Sequence, residues 1–451
     1  MSQITTSVAG QKTAPETPTF LEAFRFWVKL GFINFGGPAG QIAIMNAELV
    51  DKRRWISQER FLHALNYCML LPGPEAQQLA IYIGWLLHRT WGGIVAGAFF
   101  VIPSIFILLF LTWIYAAYGN VPAVMAAFYG LKPVVTAIVA SATIQIGRRA
   151  LKNEVMVLIA LLAFLGIYFL KISFPAIVLS AGLLGFMGGK FWRKKFYVIK
   201  PHGGEKSQAV ISDDFQADHT RPSFSRAMKV IVVCGALWAS PLVAAAWWRG
   251  TDDIFFQIGL FFSKAAMVTF GGAYAVLAYI GQAAVERYGW LRPGQMLDGL
   301  GLAETTPGPL IMVTQFVGFL AAWQNATGLA PLTAGITGAL MTTWVTFTPC
   351  FLWIFLGAPF IEKLRGNVAL TSALSAITAA VVGVILNLSV FFGLHVFFPP
   401  QGRVAWADLD GMALSIAVVS FIGLVRWKWD ILPVVAGGII VGLAYKVILG
   451  M

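Results

Sequence analysis

Apolar positions fill this chain in long runs, and the breaks between runs define its elements. Clean apolar stretches at about 91–117, 122–147, 155–170, 172–189 and 230–248 predict membrane-spanning helices. A final pair, about 411–425 and 431–449, predicts a hairpin turning at Arg426-Trp-Lys428-Trp-Asp430. A crossing helix needs ~20 apolar residues; the third and fourth stretches are short and turn at Lys171. The opening region reads differently. Residues 20–47 are apolar but cut by Gly36-Gly37-Pro38, and a charged turn follows at Asp51–Arg54. Residues 56–70 run into Pro72-Gly73-Pro74, and 75–88 continue helix-like to His88-Arg89. Neither arm is a clean span. Backbone broken at membrane depth persists only when buried in protein or lining a wet cavity. The pattern therefore predicts an all-α polytopic bundle with interrupted or re-entrant helices.

The broken region occurs twice. Lys29, Phe35-Gly36-Gly37, Trp55 and Pro72-Gly73-Pro74 recur at one fixed offset as Lys264, Phe270-Gly271-Gly272, Trp290 and Pro307-Gly308-Pro309. Phe26, Val50, Leu62 and Leu65 recur at the same offset as Phe261, Val285, Leu297 and Leu300. A gap-free run of matches means an internal duplication. The expected organisation is a polar tail over 1–19, a first repeat over 20–152, and connecting spans over 153–253. A second repeat follows over 254–395, then a terminal hairpin over 396–451.

Composition narrows the class. Of 451 residues, 58% are hydrophobic and 12% charged, against roughly 25% charged in soluble domains. The polar first 19 residues contain nothing resembling a cleaved signal peptide. The net charge of +12 sits at span ends and in the polar loop 190–228, which reads as cytoplasmic marking rather than nucleic-acid binding. Cys68, Cys234 and Cys350 are scattered and suggest neither disulfides nor a metal site; no cofactor is expected. Placing the N-terminus and loop 190–228 inside puts Trp248–Asp253 outside, because one span, 230–248, separates them. Glu362-Lys363-Leu-Arg365 then falls inside, whereas its counterpart Tyr118-Gly-Asn120 falls outside. The halves are expected to be inverted repeats, as in many secondary transporters.

Such an architecture places a binding site near the midplane, between the halves. A helix starting after Gly-Gly or Pro-Gly-Pro offers unpaired N–H groups and partial positive charge, which favours an anion. The candidate binding positions are Asn34, Gly36, Gly37, Gln41, Pro72, Gly73, Pro74, Gln77 and Gln78 in the first repeat. In the second they are Gly271, Gly272, Thr305, Thr306, Pro307, Gly308 and Pro309, with Thr314 and Gln315 nearby. Lys29 and Lys264 read either as cations facing a cavity from opposite sides or as residues snorkelling to an interface. Lys132 has the same two readings and no counterpart in the second half. Glu304 is the first proton-coupling candidate, because an ionisable residue at membrane depth is costly. Glu75 is the second, since a helix N-terminus stabilises a carboxylate for capping reasons alone. Asp213-Asp214-Phe-Gln-Ala-Asp218 bears a superficial likeness to an acidic metal motif but sits in a polar loop.

Phe35-Gly-Gly-Pro-Ala, the Trp55 segment, Leu71-Pro-Gly-Pro-Glu75-Ala-Gln-Gln and Ala303-Glu-Thr-Thr-Pro-Gly-Pro-Leu310 together resemble the chromate ion transporter family, in its long two-domain form, over about 20–395. The resemblance implies a non-enzymatic carrier exporting chromate across the bacterial inner membrane, driven by proton-motive force and conferring chromate resistance. Sulfate is the competing ligand. Expected partners are the oxyanion and membrane lipid, with a homodimer left open. An anion channel on the same scaffold and an intramembrane lipid-modifying enzyme are the rival readings. The first copy places Glu75 after its Pro-Gly-Pro, whereas the second has Leu310 there and Glu304 before it, so the two sites differ chemically.

Overall fold

A computed structural model describes residues 17–197, 209–211, 218–270, 273–292, 294–325, 328–360, 368–398 and 406–448. Gly271, Gly272, Asp213, Asp214 and the Glu362–Arg365 turn lie outside the described residues. The described residues are almost wholly helical, with one isolated bridge, Ile56 to Ile211, and no strand among them. Seven helical stretches are long and apolar enough to cross a membrane, and many large apolar side chains, such as Leu179, Leu183 and Trp247, are exposed on their outer faces. That is the surface of a protein solvated by lipid. The chain is an all-α polytopic membrane protein.

The first half runs α1 (Phe20–Ile33), α2 (Gly37–Asn46) with a π-helical turn at Ala47–Lys52, α3 (Gln58–Cys68), α4 (Glu75–Phe99), α5 (Ile102–Tyr118), α6 (Pro122–Ala150), α7 (Glu154–Tyr168), α8 (Phe174–Phe191) and the short α9 (Arg193–Phe196). One helix, α10 (Phe224–Arg249), leads to the second half. There α11 (Ile254–Met267), α12 (Ala273–Gln282) with a π-helical turn at Ala283–Arg287, and α13 (Gln295–Thr305) stand where α1, α2 and α3 stood. They are followed by α14 (Val313–Asn325), α15 (Pro331–Gly357), α16 (Val368–Phe397), α17 (Gly411–Arg426) and α18 (Ile431–Ile448). The shared build reaches side chains: Phe26 meets Trp55 at 5.3 Å and 79°, and Phe261 meets Trp290 at 5.5 Å and 79°.

Local chemistry sets where helices begin. Thr19 and Glu22 form a capping box for α1, and Ser57, Asn153, Asp253 and Asp410 each accept from a backbone N–H in the first turn of their helix; such caps satisfy otherwise orphaned donors. Helix α1, at 14 residues, is roughly 21 Å long and too short for a ~30 Å hydrocarbon core. The Phe26–Trp55 contact shows the chain turning back after Phe35-Gly36-Gly37 rather than continuing across.

Helix α4 is not one rod. Its backbone leaves helical geometry at His88 (φ −136, ψ 35) and Arg89 (φ 55, ψ −150). Gly84 and Gly92 then lie back to back, so that a Cβ on either would strike the other's carbonyl oxygen. In a straight helix those residues would be ~12 Å apart. The chain therefore reverses, and His88 Nε2 lies 3.0 Å from Pro18 O, at the level where α1 starts. The stretch after the reversal, with α5, is the crossing. Gly318 of α14 and Gly338 of α15 make the same back-to-back approach. Small residues let helix backbones approach closely in lipid.

The halves clasp each other. Helices α7 and α8 pack on α16, and α17 and α18 pack on α6, while α6 and α16 pack together at the centre. Gly130 of α6 meets Gly438 and Gly442 of α18 backbone to backbone.

Candidate functional site

Four broken-helix turns meet at the middle of the molecule, in two crossed pairs. The N–H of Gly73, in the first Pro-Gly-Pro, donates to Thr269 O at 2.8 Å, just before the second Phe-Gly-Gly. The N–H of Gly308, in the second Pro-Gly-Pro, donates to Asn34 O at 2.8 Å, just before the first Phe-Gly-Gly. Donors and acceptors are equivalent residues at the fixed offset, so the contact is reciprocal, as across a two-fold axis. Both glycines have positive φ, 123° and 112°, and both are crowded: a Cβ on Gly73 would press on Gln78 and Cys350, and one on Gly308 would overlap the Ser104 hydroxyl. Only glycine meets both conditions.

Amide side chains brace these turns. Gln41 Nε2 donates to Gly308 O, Gln78 Nε2 to Pro72 O at 2.8 Å, and Gln77 Nε2 to Gly97 O at 3.2 Å. Ser104 Oγ donates to Pro307 O, and Gln315 Nε2 to Ile105 O at 2.9 Å. Thr305 and Thr306 hydroxyls both bond back to Leu302 O, at 2.9 and 2.7 Å, and Thr314 bonds to Ile311 O at 2.8 Å. The sequence-predicted polar set is thus gathered at the breaks, but most of its donors serve backbone carbonyls freed there. Asn34 is different: it is fully buried, and neither its amide nitrogen nor its oxygen finds a protein partner. Gln77 Oε1 and Gln78 Oε1 are likewise buried and unpartnered.

A cavity of about 550 Å³ opens beside this seam. Its inner wall is Gly36, Gly37, Gly73 and Glu75, with Tyr274; its mouth carries Arg149 and Trp429, with Gln145 and Thr378 between. Helix α2 starts at this wall from Gly36 with no side-chain cap, and α4 starts from Pro74, also uncapped. Two helix N-termini whose N-cap residues supply no side-chain cap thus face one cavity, each with the partial positive charge of a helix start. Tyr274 connects it to Glu304, donating to Oε1 at 2.7 Å; Glu304 is 5% exposed. Arg149 is the one Lys or Arg among the described residues lining this cavity.

Lys29 and Lys264 do not line it. Both are exposed, and Lys29 lies within electrostatic reach of Glu48. Lys132 sits at a second cavity of about 400 Å³, paired with Asp298 at 3.5 Å. Sequence reasoning missed Tyr274, Arg149 and Asp298. Tyr274 occupies the position equivalent to Ala39, so the duplication hid it. Asp298 is, like Glu304, an acid in the apolar, glycine-rich α13, a signal that was present in the sequence. Among the described residues, no three His, Cys, Asp or Glu are grouped to hold a metal.

Comparison with known proteins agrees with this build. The chain is 28% identical over 443 residues to a chromate transport protein of Cupriavidus metallidurans, covering 97% of this chain and 96% of the relative. It is 29% identical to a chromate transport protein of Pseudomonas aeruginosa, covering 84% and 82%. An uncharacterized transporter of Bacillus subtilis, YwrB, is 28% identical over 189 residues, which is 41% of this chain but 93% of that protein. No solved structure matches. The chromate transporter family model matches residues 21–186 and 256–443, both halves of the molecule and most of the terminal hairpin of each, and on that match the chain belongs to the chromate transporter family.

Proposed function

We propose that this protein carries chromate, or an oxyanion of like shape and charge, outward across the cytoplasmic membrane, and so confers chromate resistance. The observation that carries the reading is the pair of uncapped helix N-termini, α2 and α4, facing one cavity with glycine backbone exposed between them. They supply neutral N–H donors to an oxyanion. Asn34, buried and unpartnered at the seam, is a further donor. The reciprocal Gly73–Thr269 and Gly308–Asn34 contacts are the barrier between the faces.

In this reading the halves are inverted, and each includes its terminal hairpin, α7–α8 or α17–α18. One end of the bundle gathers Pro18, His88, Arg149 and Trp429; the other gathers Gly119, His395 and Asp410. Lys152, Lys190, Arg193, Lys194, Lys195, Arg426 and Lys428 belong to the first end, which makes it cytoplasmic by the excess of basic residues in inner loops. The large cavity then faces the cytoplasm. Glu304, reached through Tyr274, is the proton carrier.

The test is chromate flux in proteoliposomes at fixed membrane potential, with and without a pH gradient. Saturable flux that responds to the gradient, and that loses this response in Glu304→Gln while still binding chromate, is expected. Flux without saturation would make the protein a channel. Wild-type flux indifferent to the gradient would remove the proton.

A further inference from the structure

The second cavity, on the face opposite the first, holds the ion pair Lys132–Asp298. Asp298 lies in the first turn of α13 and is 3% exposed. Its Oδ2 accepts from Tyr115 Oη at 2.9 Å and faces Lys132 Nζ at 3.5 Å. A direct ammonium–carboxylate hydrogen bond is shorter, about 2.7–2.9 Å. Its Oδ1 is buried with no partner. The carboxylate is therefore half satisfied in a place where an unpaired charge is expensive. Lys132 is not sealed in: 34% of its side chain is exposed. Its ammonium lies beside Gly294, from which α13 starts without a side-chain cap, so helix dipole and ammonium add at one point.

A purely structural salt bridge tying α6 to α13 would account for the pairing. It would not account for the long contact, the accessible ammonium and the orphaned Oδ1 together. The neighbouring charges are otherwise engaged. Tyr129 donates to both oxygens of Asp410, at 2.8 and 2.9 Å, and Asp410 also caps α17. Lys446 lies 4.8 Å over the Tyr129 ring. His395 bonds to Phe391 O at 2.9 Å, and Arg292 acts on Tyr115 from the start of α13.

The geometry points to an exchange site: an oxyanion on Lys132 and a proton on Asp298 together replace the Lys132–Asp298 pair. The oxyanion takes the ammonium, and a proton from bulk solution, carried in as hydronium and releasing water, neutralises the carboxylate left behind. Nothing covalent is made beyond that O–H bond. The inference rests on the transport reading and deepens it, because it couples oxyanion occupancy and proton occupancy on one face. Asp298 and Glu304 lie on the same helix, ~9 Å apart along its axis, so a proton taken at one cavity enters the helix that also reaches the other. Reciprocal linkage follows: a lower pH tightens oxyanion binding, and oxyanion binding takes up a proton.

The probe is sulfate, which does not titrate near neutral pH, added to purified detergent-solubilised protein in a calorimeter at several pH values. Wild-type affinity should rise as pH falls. Asp298→Asn should bind about fivefold tighter or more at neutral pH and lose the pH dependence, while Asp298→Glu keeps it. Lys132→Gln should lose the pH-dependent component altogether. Asp298→Asn binding no tighter than wild type, with the pH dependence retained, would overturn the proposal. Should Asp298→Asn fail to fold, Lys132→Gln decides: a pH dependence that survives there also overturns it. Sulfate–proton linkage without chromate flux in liposomes would sink the chromate reading and leave the exchange site standing. Chromate flux without linkage would do the reverse.

Discussion

Gly308 and Gly37 both have positive φ, yet their neighbourhoods separate two costs. Around Gly37 a Cβ would meet nothing within 4 Å, whereas at Gly308 it would overlap the Ser104 hydroxyl. Gly37→Ala should therefore cost only the conformational penalty, about 1–2 kcal/mol. Gly308→Ala should add overpacking of about 1–3 kcal/mol and break the seam contact to Asn34. Unfolding midpoints in detergent should fall in that order, with transport lost in Gly308→Ala; equal midpoints would mean that the seam tolerates a side chain. Charge separates in the same way. Arg149 lines the mouth of the large cavity, and Lys29 and Lys264 do not. Arg149 is exposed, so its pull on a dianion is worth under about 1 kcal/mol, a factor of up to roughly five. Arg149→Gln should raise the transport KM by that factor, while Lys29→Gln and Lys264→Gln leave it within about twofold. A larger effect from either lysine would mean that it approaches the anion in a conformation other than this one.

The re-entrant arm of α4 depends on one close approach between elements. Gly84→Ala would drive a methyl group into the Gly92 carbonyl and Ala96, an overpacking of about 1–3 kcal/mol. Gly235→Ala, in α10 with open space around it, should be neutral or stabilising by up to about 1 kcal/mol. Thermal unfolding of the two variants should move in opposite directions, and a common shift would show that the Gly84–Gly92 contact is not tight. This element also shows what was legible in the sequence. The breaks at Gly36-Gly37 and Pro72-Gly73-Pro74 were readable, because Gly and Pro change what the backbone can do locally, and the one at His88-Arg89 because two polar residues end an apolar run. The partner of each hairpin was not. Helices α7, α8, α17 and α18 are apolar on nearly every face, and a helix without a polar side gives no sign of which neighbour it will cover. The pairing of Lys132 with Asp298 was hidden for a related reason: it joins α6 to α13 across the molecule, and no local pattern encodes that distance. The glutamines were found, but their work in bracing carbonyls follows only from where the broken ends point.

For the whole molecule, the reciprocal seam and the crossed hairpins fix how the halves contact each other, and the proposal of inversion adds which way each faces. Counting crossings makes the addition testable. Starting from Pro18, the two broken arms return to their own side, as the His88–Pro18 contact requires. The chain then crosses through the end of α4 with α5, returns through α6, crosses through α7 and returns through α8. Helix α10 crosses once more, so Lys194 and Thr251 lie on opposite faces, and so do Asn120 and Lys428. All four positions are exposed, and the native Cys68, Cys234 and Cys350 are buried, so single cysteines introduced at the four sites should dominate labelling by a membrane-impermeant maleimide. In intact cells, Asn120→Cys and Thr251→Cys should react, and Lys194→Cys and Lys428→Cys should react only after the membrane is opened. Lys428 tests the second half independently of the first, since it lies beyond three further crossings, through α15, α16 and α17. Labelling of Lys194→Cys and Thr251→Cys from the same face would leave α10 as a surface helix and make the halves parallel. The large cavity and the Lys132 cavity could then no longer be assigned to opposite sides of the membrane, and an oxyanion path from one to the other would have no direction.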